Sequence, residues 1–374
     1  MKKSILICLS LVFILAAVHF LEKNKLKIIY LKNTLYYYFL EESVKCEGLN
    51  IDYLKDILVY TTIPYYSNWG YAALLKHDGS ISLCTTANNK NEDFRFASLT
   101  KLITAKAIVN IFHEKKISLD RKFIDFFSEF ENKKYRDNRV KDITINHLLN
   151  HSSGLGGPWG ADDMIVSKKP WCPSNIINLT QVKIAGKPGS NYLYSNVSYC
   201  LLGALINELS IEKDYKKHIE KNYLSKNLYF LDNNFRSDEA PYNTKYDVLF
   251  NLNYINQINF DFLASSAGLA GSPHSFLSLI QSLYSKSDLE FLFKRLESQC
   301  TTNLNNCYLW NFRLMKKDSN YKIIFSQGYL PGASSIVAIT EKGDVLLWLA
   351  AGPPIEERLT DILLMEIYSA MKSL

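Results

Sequence analysis

The sequence predicts an α+β fold, in which an antiparallel sheet built from both chain ends is flanked by helices and carries an inserted, mainly helical region. Strand-like runs at 70–76 and 80–84 are joined by Asp78-Gly79, and Asp-Gly between two such runs is a strong hairpin signal. Three further strands are predicted near the other end, at 322–325, 334–340 and 345–350. Helices and loops dominate from about 140 to 300. The sheet therefore takes strands from both halves of the chain.

A helix at 99–113 is predicted to lie at the centre of the fold. Its apolar residues recur at spacings of three and four, which marks one buried helix face. They are Leu99, Leu102, Ala105, Val109 and Phe112. Further apolar residues widen this face beyond a single stripe. A last helix is predicted from Pro353 to about Lys372, because proline is tolerated in a first helical turn.

Composition excludes several classes of protein. Of the 374 residues, 47% are hydrophobic and 21% are charged, which is ordinary for a globular chain. The formal net charge is +6, but no cluster of Lys and Arg alternates with aromatic residues as in nucleic-acid-binding proteins. Neither a Cys-x-x-Cys pair nor a glycine-rich phosphate-binding loop is present. We therefore expect no nucleic-acid partner, no cofactor and no metal.

The N-terminus predicts export. Two lysines precede an apolar run at 5–21, a pattern typical of a signal peptide or an N-terminal membrane anchor over residues 1–22. No clear small-x-small cleavage site follows, which favours an uncleaved anchor that makes the membrane a partner. Four lysines follow the run, so the positive-inside rule does not fix the orientation; they are Lys23, Lys25, Lys27 and Lys32. The expected location is exported, either membrane-anchored or periplasmic or extracellular.

The remaining chain is interpreted as a connector, 23–50, and one domain, 51–374. Within the domain, an α/β part combines 51–140 with 305–374, and a mainly helical part spans 141–304. Six cysteines lie beyond the apolar run, an even number that suits disulfides in an oxidising compartment. They are Cys46, Cys84, Cys172, Cys200, Cys300 and Cys307. The last two are close enough to close a small loop.

The start of the central helix carries the first chemical signal. A serine hydroxyl is a weak nucleophile until a neighbour takes its proton. Residues three apart share a helix face, so Lys101 can place its amine beside Ser98. Ser-x-x-Lys occurs four times in the chain, but only this copy opens a strongly apolar helix after a hydrophobic approach at 94–97. Burial matters because a lysine must be desolvated to act as a base near neutral pH.

A second signal is the tripeptide Tyr194-Ser195-Asn196. A nearby ammonium lowers the pKa of a phenol, which can then relay protons between a nucleophile and a leaving group. The amide of Asn196 can hydrogen-bond a substrate amide. Taken alone, Tyr194 is better interpreted as a packed core aromatic, since Tyr-x-Asn occurs three times in the chain. Its context, Lys187-Pro188-Gly189 before and Leu201-Leu202-Gly203 after, sets this copy apart.

Five segments occur together in one order, at 96–101, 143–155, 187–196, 266–272 and 330–335. Together they resemble class C β-lactamases and the related D-alanyl-D-alanine carboxypeptidases and esterases, over roughly residues 55 to 372. The resemblance implies a fold of the serine β-lactamase and penicillin-binding-protein family. It also implies that Ser98 is acylated, that Lys101 and Tyr194 form the proton-transfer pair, and that the backbone N–H groups of Ser98 and Tyr329 form an oxyanion hole.

One position departs from this family. Its third motif is usually Lys or His, then any residue, then Gly, on a strand that lines the site. Here Ser326-Gln327-Gly328 stands at the matching positions. Gly328 is expected to let a substrate lie close to the strand. The three residues are expected to bind substrate together with Asn196 and Tyr329, although Ser326 replaces the cationic or imidazole group.

These observations support two hypotheses. The first is a serine hydrolase or acyltransferase that forms an acyl-enzyme at Ser98 from a β-lactam, a D-Ala peptide or an ester. The second is a catalytically impaired family member that acts as a binding or scaffold protein, because Ser326 replaces the expected cation. His147 and His151 are interpreted as structural histidines at a helix end rather than as a metal-binding pair.

Overall fold

The computed structural model describes residues 43–49, 51–62, 69–86, 92–156, 164, 169–232, 236–240, 258–300, 307–317, 321–330, 332–352 and 357–373. The predicted N-terminal segment 1–22 and most of the predicted connector 23–50 lie outside these residues. Within the described ranges, no helix combines the length and the apolar character that crossing a bilayer requires.

Strands from both chain ends lie side by side in the main sheet. The described strands are β1 Lys45–Glu47, β2 Gly70–Leu75, β3 Ile81–Thr85, β4 Phe94–Arg95, β5 Leu228–Phe230, β6 Leu269–Gly271, β7 Arg313–Lys316, β8 Lys322–Leu330, β9 Ala333–Thr340 and β10 Val345–Ala350. Seven of them form one antiparallel sheet in the order β1-β3-β2-β10-β9-β8-β7. The pairing of β2 with β10 sets Leu75 opposite Val345. The predicted α+β fold, with a sheet from both termini, is confirmed.

Helices cover both faces of this sheet. The described α-helices are α1 Asp52–Thr62, α2 Thr100–Glu114, α3 Ile145–Leu149, α4 Asn196–Leu209, α5 Tyr215–Asn222, α6 Phe260–Ala267, α7 Pro273–Leu283, α8 Lys286–Gln299 and α9 Glu357–Ser373. On one face, α1 and α9 pack over a core that includes Trp348 and Phe325. On the other face lies the larger core, which includes Leu347 of the sheet and most of the apolar side chains of α2. The predicted central helix is therefore buried between the sheet and the helical region.

Several strands differ from the sequence-based expectation. β8 runs on to Leu330, well past the expected end at 325, because a polar stretch continues the same pairing with β9. β7 was not predicted. β5 and β6 lie inside the region expected to be helical, where they form a small sheet with β4 from the α/β part. β1 comes from the end of the predicted connector, so the sheet begins before residue 51.

Three disulfides join all six cysteines of the described chain. The pairs are Cys46–Cys84, Cys172–Cys200 and Cys300–Cys307. The first ties the edge strand β1 to β3, and the last closes the small loop that the sequence predicted. Disulfides persist in oxidising compartments, so this set is typical of an exported protein.

Candidate active site

Ser98 lies in a 3-10 turn, Ala97–Leu99, that runs directly into α2. Ala97 has a φ of +49°, in the left-handed region that residues other than glycine rarely adopt, and such strained positions cluster at functional sites. Ser98 is 8% exposed, whereas Lys101 is fully buried in the first turn of the helix. Lys101 Nζ donates a 3.0 Å hydrogen bond to Ser98 Oγ. The predicted contact between this serine and this lysine is present.

Tyr194 reaches the same oxygen from another part of the fold. Its hydroxyl donates a 2.7 Å hydrogen bond to Ser98 Oγ, and Lys101 Nζ lies 5.0 Å from the centre of its ring. The tyrosine directly precedes Ser195, the residue that caps α4 by accepting a hydrogen bond from the Ser198 N–H. The start of α4 therefore fixes the phenol against the start of α2. A hydroxyl, an amine and a phenol from distant parts of the chain meet at one oxygen.

Three acceptors surround the amine of Lys101. Besides Ser98 Oγ, they are Asn196 Oδ1 and the main-chain oxygen of Ser266, each at 2.7 Å. An ammonium carries three N–H donors and has no acceptor, so this arrangement suits the protonated form. Asn196 was expected to bind substrate, and here its carbonyl oxygen orients the lysine. Ser266 belongs to the 266–272 segment singled out in the sequence, which assigned no role to its backbone.

The strand β8 forms the opposite wall. The strand β8 pairs with β9 from Ile323 to Leu330, whereas its pairs with β7 end at Phe325 opposite Arg313. A Cβ at Gly328 would lie 2.3 Å from Ser335 Oγ, 2.6 Å from the Phe96 oxygen and 2.9 Å from the Ser98 nitrogen. The glycine is thus needed where β8 packs on the nucleophile turn. Sequence reasoning had explained it by the approach of substrate.

A directed hydrogen-bond chain runs behind Tyr194. The Ser195 N–H donates to His151 Nδ1 at 3.1 Å, and His151 Nε2 lies 3.0 Å from Asn311 Oδ1. The Asn311 amide donates to Ser326 Oγ at 2.7 Å and to the Ser98 main-chain oxygen at 3.3 Å. Burial lowers the pKa of His151 to about 3, so its imidazole is neutral. Sequence reasoning missed Asn311 and placed His151 only at a helix end.

His147 and His151 have different surroundings. His147 belongs to α3 and closes its capping box, in which its Nδ1 accepts a hydrogen bond from the Thr144 N–H. His151 lies beyond the helix with a φ of +54°, and this turn of the chain directs its ring into the site. The interpretation as a structural helix-end residue therefore describes His147, and His151 contacts the candidate site instead.

The residues of the predicted third motif differ in their exposure. Ser326 is 2% exposed, whereas Gln327 and Tyr329 are half-buried. The Gln327 side-chain oxygen accepts a hydrogen bond from the guanidinium of Arg313, which also lies 4.5 Å from the Phe325 ring centre. The backbone of Tyr329 lies opposite Ser334 in the β8–β9 pairing. Arg313 brings a cation to this end of the strand that the sequence did not reveal.

Comparisons with known proteins place this chain in a family. A family model described as Beta-lactamase matches residues 64–366. The chain is 28% identical over 352 residues to the putative fimbrial assembly protein FimD, serogroup D, of Dichelobacter nodosus, covering 89% of this chain and 86% of that protein.

Two solved structures share the fold. The D-amino acid amidase from Ochrobactrum anthropi SV3 complexed with L-phenylalanine amide gives a TM-score of 0.65 at 18% identity, over 86% of this chain and 99% of that chain. The beta-lactamase/D-alanine carboxypeptidase from Yersinia pestis gives 0.64 at 15% identity, over 85% and 97%. The match of the family model over most of the sequence shows that this chain belongs to the beta-lactamase family.

Proposed function

We propose that the protein is an exported serine hydrolase or acyltransferase that forms an acyl-enzyme at Ser98. The observation that carries the proposal is the convergence on Ser98 Oγ of Lys101 Nζ at 3.0 Å and Tyr194 Oη at 2.7 Å. Membership of the beta-lactamase family supports a hydrolase type of function. Burial of Lys101 supports it further, because a surface lysine would lose this arrangement to water.

In the first half of the reaction, Ser98 Oγ attacks the acyl carbon of the substrate. The pair formed by Lys101 and Tyr194 can take the serine proton only when it holds one proton fewer than in this hydrogen-bond pattern, so Tyr194 is proposed to react as a phenolate beside the Lys101 ammonium. The proton passes from Ser98 Oγ to Tyr194 Oη, and the carbonyl oxygen becomes an oxyanion. When the tetrahedral intermediate collapses, the bond to the leaving group breaks and the leaving group takes a proton from Tyr194. In the second half, water attacks the ester, gives its proton to the same pair, and Ser98 leaves with a proton restored to its oxygen.

The proposed oxyanion hole consists of the backbone N–H groups of Ser98 and Tyr329. The closeness of β8 to the nucleophile turn supports it, since a Cβ on Gly328 would lie only 2.9 Å from the Ser98 nitrogen. Two backbone donors held by a helix start and a sheet strand need no rearrangement when negative charge develops between them.

The substrate is proposed to be a β-lactam or another amide, a D-Ala peptide or an ester, bound along β8 beyond its pairing with β7. Asn196, Ser326, Gln327 and Gly328 line this stretch in the proposal. The amidase and the carboxypeptidase that share the fold act on such acyl groups according to their names. The guanidinium of Arg313 beside Gln327 favours a substrate that carries a carboxylate.

A panel of acyl donors read by intact mass tests the proposal. The donors are a penicillin, a D-alanyl-D-alanine peptide and a phenyl ester. At least one is expected to add its acyl mass to the wild-type protein and none to the Ser98→Ala variant, while Ser369→Ala, a serine of the last helix, keeps the adduct. An unlabelled wild-type protein with every donor would overturn the acyl-enzyme proposal.

A second candidate function is ligand binding without turnover. Ser326 in the place of a cation favours it, and so does the resemblance to a putative fimbrial assembly protein, which suggests a role in an assembly process. Under this alternative, a penicillin raises the melting temperature of wild type and of Ser98→Ala equally, with no consumption of the penicillin. A shift that needs Ser98 would contradict it.

A further inference from the structure

The hydrogen-bond chain behind Tyr194 has a definite direction. A backbone N–H can only donate, so the Ser195 N–H requires an unprotonated Nδ1 on His151. The neutral imidazole then carries its proton on Nε2 and donates to Asn311 Oδ1. The oxygen of the Asn311 amide must therefore face His151. The amide nitrogen faces the other way, towards Ser326 Oγ and the Ser98 main-chain oxygen.

All hydrogen-bonding groups of the Asn311 side chain are therefore used. Its oxygen accepts from His151, and its two N–H bonds point to Ser326 and to Ser98. The residue is 3% exposed, so water does not compete for these contacts. It sits in a two-residue turn in which Trp310 and Asn311 both have positive φ, 51° and 68°, while Leu309 and Phe312 exchange 2.9 Å backbone hydrogen bonds.

The consequence falls on the Ser326 hydroxyl. It accepts a hydrogen bond from Asn311, so its own proton must point elsewhere. No residue in the described part of the chain accepts that proton, although Ser326 is 2% exposed. A buried donor left without an acceptor is costly, and a substrate oxygen in the adjoining cleft would satisfy it.

We infer that Asn311 is a positioning residue that turns Ser326 into a fixed, uncharged hydrogen-bond donor to a substrate oxygen. The usual family motif has a Lys or His side chain at this position. This protein has the Ser326 hydroxyl, and the hydrogen bond from Asn311 sets the direction of its proton. The inference rests on the proposed function for the identity of the cleft, but it concerns recognition and not the acylation chemistry. It predicts that the direction of the Asn311 amide matters as much as the presence of the Ser326 oxygen.

Replacement of Asn311 by aspartate tests this direction. Asp tolerates the left-handed backbone as Asn does, but both of its carboxylate oxygens accept, so the Ser326 proton turns back towards residue 311. Asn311→Asp and Ser326→Ala are each expected to lower the rate constant for acylation by benzylpenicillin about tenfold, the effect of one lost hydrogen bond. The double variant is expected to be no slower than Ser326→Ala alone, because both changes remove the same donor.

Phenyl acetate supplies the matched control. Its leaving group carries no carbonyl or carboxylate oxygen, so acylation by this ester is expected to change less than about twofold in all three variants. The positioning role is overturned if the losses of acylation rate in the two single variants add in the double variant. It is also overturned if acylation by phenyl acetate falls as much as acylation by benzylpenicillin. If Asn311→Asp does not fold, Asn311→Gly keeps the turn and removes the amide, and a loss specific to benzylpenicillin is still expected.

Binding to variants that also carry Ser98→Ala separates this inference from the proposed function. Benzylpenicillin titrated by calorimetry gives a Kd that does not depend on acylation. The same tenfold, non-additive weakening is expected there. If the wild type is never acylated but this pattern holds, the acyl-enzyme proposal fails and the role of Asn311 stands. Equal Kd values across the variants, or no measurable binding, overturn the role of Asn311.

Discussion

The ring of Tyr194 stacks on the imidazole of His151, with centroids 4.4 Å apart and planes inclined by 29°. The same imidazole accepts a hydrogen bond from the N–H of Ser195, the next residue in the chain. Tyr194 is thus held by its ring and by its backbone. Because His151 is neutral and fully buried, it supports the phenol without adding a charge beside it.

Tyr194→Phe keeps this stacking and removes only the hydroxyl. We expect the acylation rate constant to fall by about 10²–10⁴, the usual contribution of a positioned proton-transfer group. The melting temperature should change little, since the ring remains in place. Tyr308→Phe is the matched control, because Tyr308 packs on His151 at 4.9 Å without a described bond to Ser98. Similar losses in both variants would contradict a proton-transfer role for Tyr194.

Lys101→Met should damage both stability and acylation. The methionine fills the space of the lysine stem but leaves the oxygens of Asn196 and Ser266 without their donor, at a cost of about 1–3 kcal/mol each in unfolding free energy. Acylation should fall at least about a hundredfold. Lys106→Met, on the same helix, removes a 2.6 Å contact with Asp288 and should cost stability alone. Urea unfolding and intact-mass kinetics measure the two effects.

The neutral state of His151 predicts a pH dependence of stability. Its pKa is about 3 in the folded protein, against 6.5 in the unfolded chain, so between these values only the unfolded chain takes up the proton. The free energy of unfolding is therefore unaffected by this proton uptake above pH 6.5, and it decreases as the pH falls from 6.5 towards 3. His151→Gln has no imidazole to protonate. The difference in unfolding free energy between wild type and this variant should therefore narrow, as the pH falls below 6.5, by up to about 1.4 kcal/mol per pH unit.

Urea unfolding of both proteins at several pH values between 4 and 7.5 measures this gap. The comparison must be differential, because burial raises the pKa of Asp93 to about 6 and gives a slope of the opposite sign in both proteins. A gap that stays constant with pH would show that the folded protein protonates His151.

Gly328→Ala should disturb the nucleophile turn. The new methyl group would lie closer than 3 Å to the Phe96 oxygen and the Ser98 nitrogen, and overpacking of this kind costs about 1–3 kcal/mol. We expect a lower free energy of unfolding together with slower acylation. Gly186→Ala is the control, since its nearest neighbour would be 3.6 Å away. A fully active Gly328→Ala would mean that β8 can move away from the turn.

Ser326→Lys alone should not restore the usual family motif. Its ammonium would meet the N–H end of the Asn311 amide in a buried place, and an unpaired buried charge costs about 3–5 kcal/mol. Addition of Asn311→Asp supplies a carboxylate partner and should recover much of that loss. Thermal unfolding of the single and double variants measures the recovery. Equal melting temperatures would show that residue 311 does not contact the new side chain.

Local patterns made part of this molecule predictable. The spacing of apolar residues identified α2, and Asp78-Gly79 identified the β2–β3 turn, where Gly79 has a φ of +86°. Ser98 and Lys101 were found because their contact spans one helical turn and needs no long-range information. Tyr194 required the order of five segments in addition, since its contact with Ser98 crosses the chain.

The contribution of Asn311 could not be found in this way. Its turn has the geometry that Asn-Gly usually marks, but the sequence there is Trp310-Asn311, and a tryptophan gives no signal of a left-handed backbone. Nor could the role of His151 be found. A spacing of four from His147 suggests two rings on one helix, whereas α3 ends at Leu149 and the chain turns before His151.

The position of β10 between β2 and β9 has a consequence for biosynthesis. The first hairpin, β2–β3, emerges from the ribosome with the edge of β2 unpaired until β10 follows, almost a whole domain later. Unpaired strand edges invite association with other chains. We expect nascent or truncated chains that end before Val345 to aggregate unless a chaperone holds them, and the sheet to close only after β10 has been synthesised.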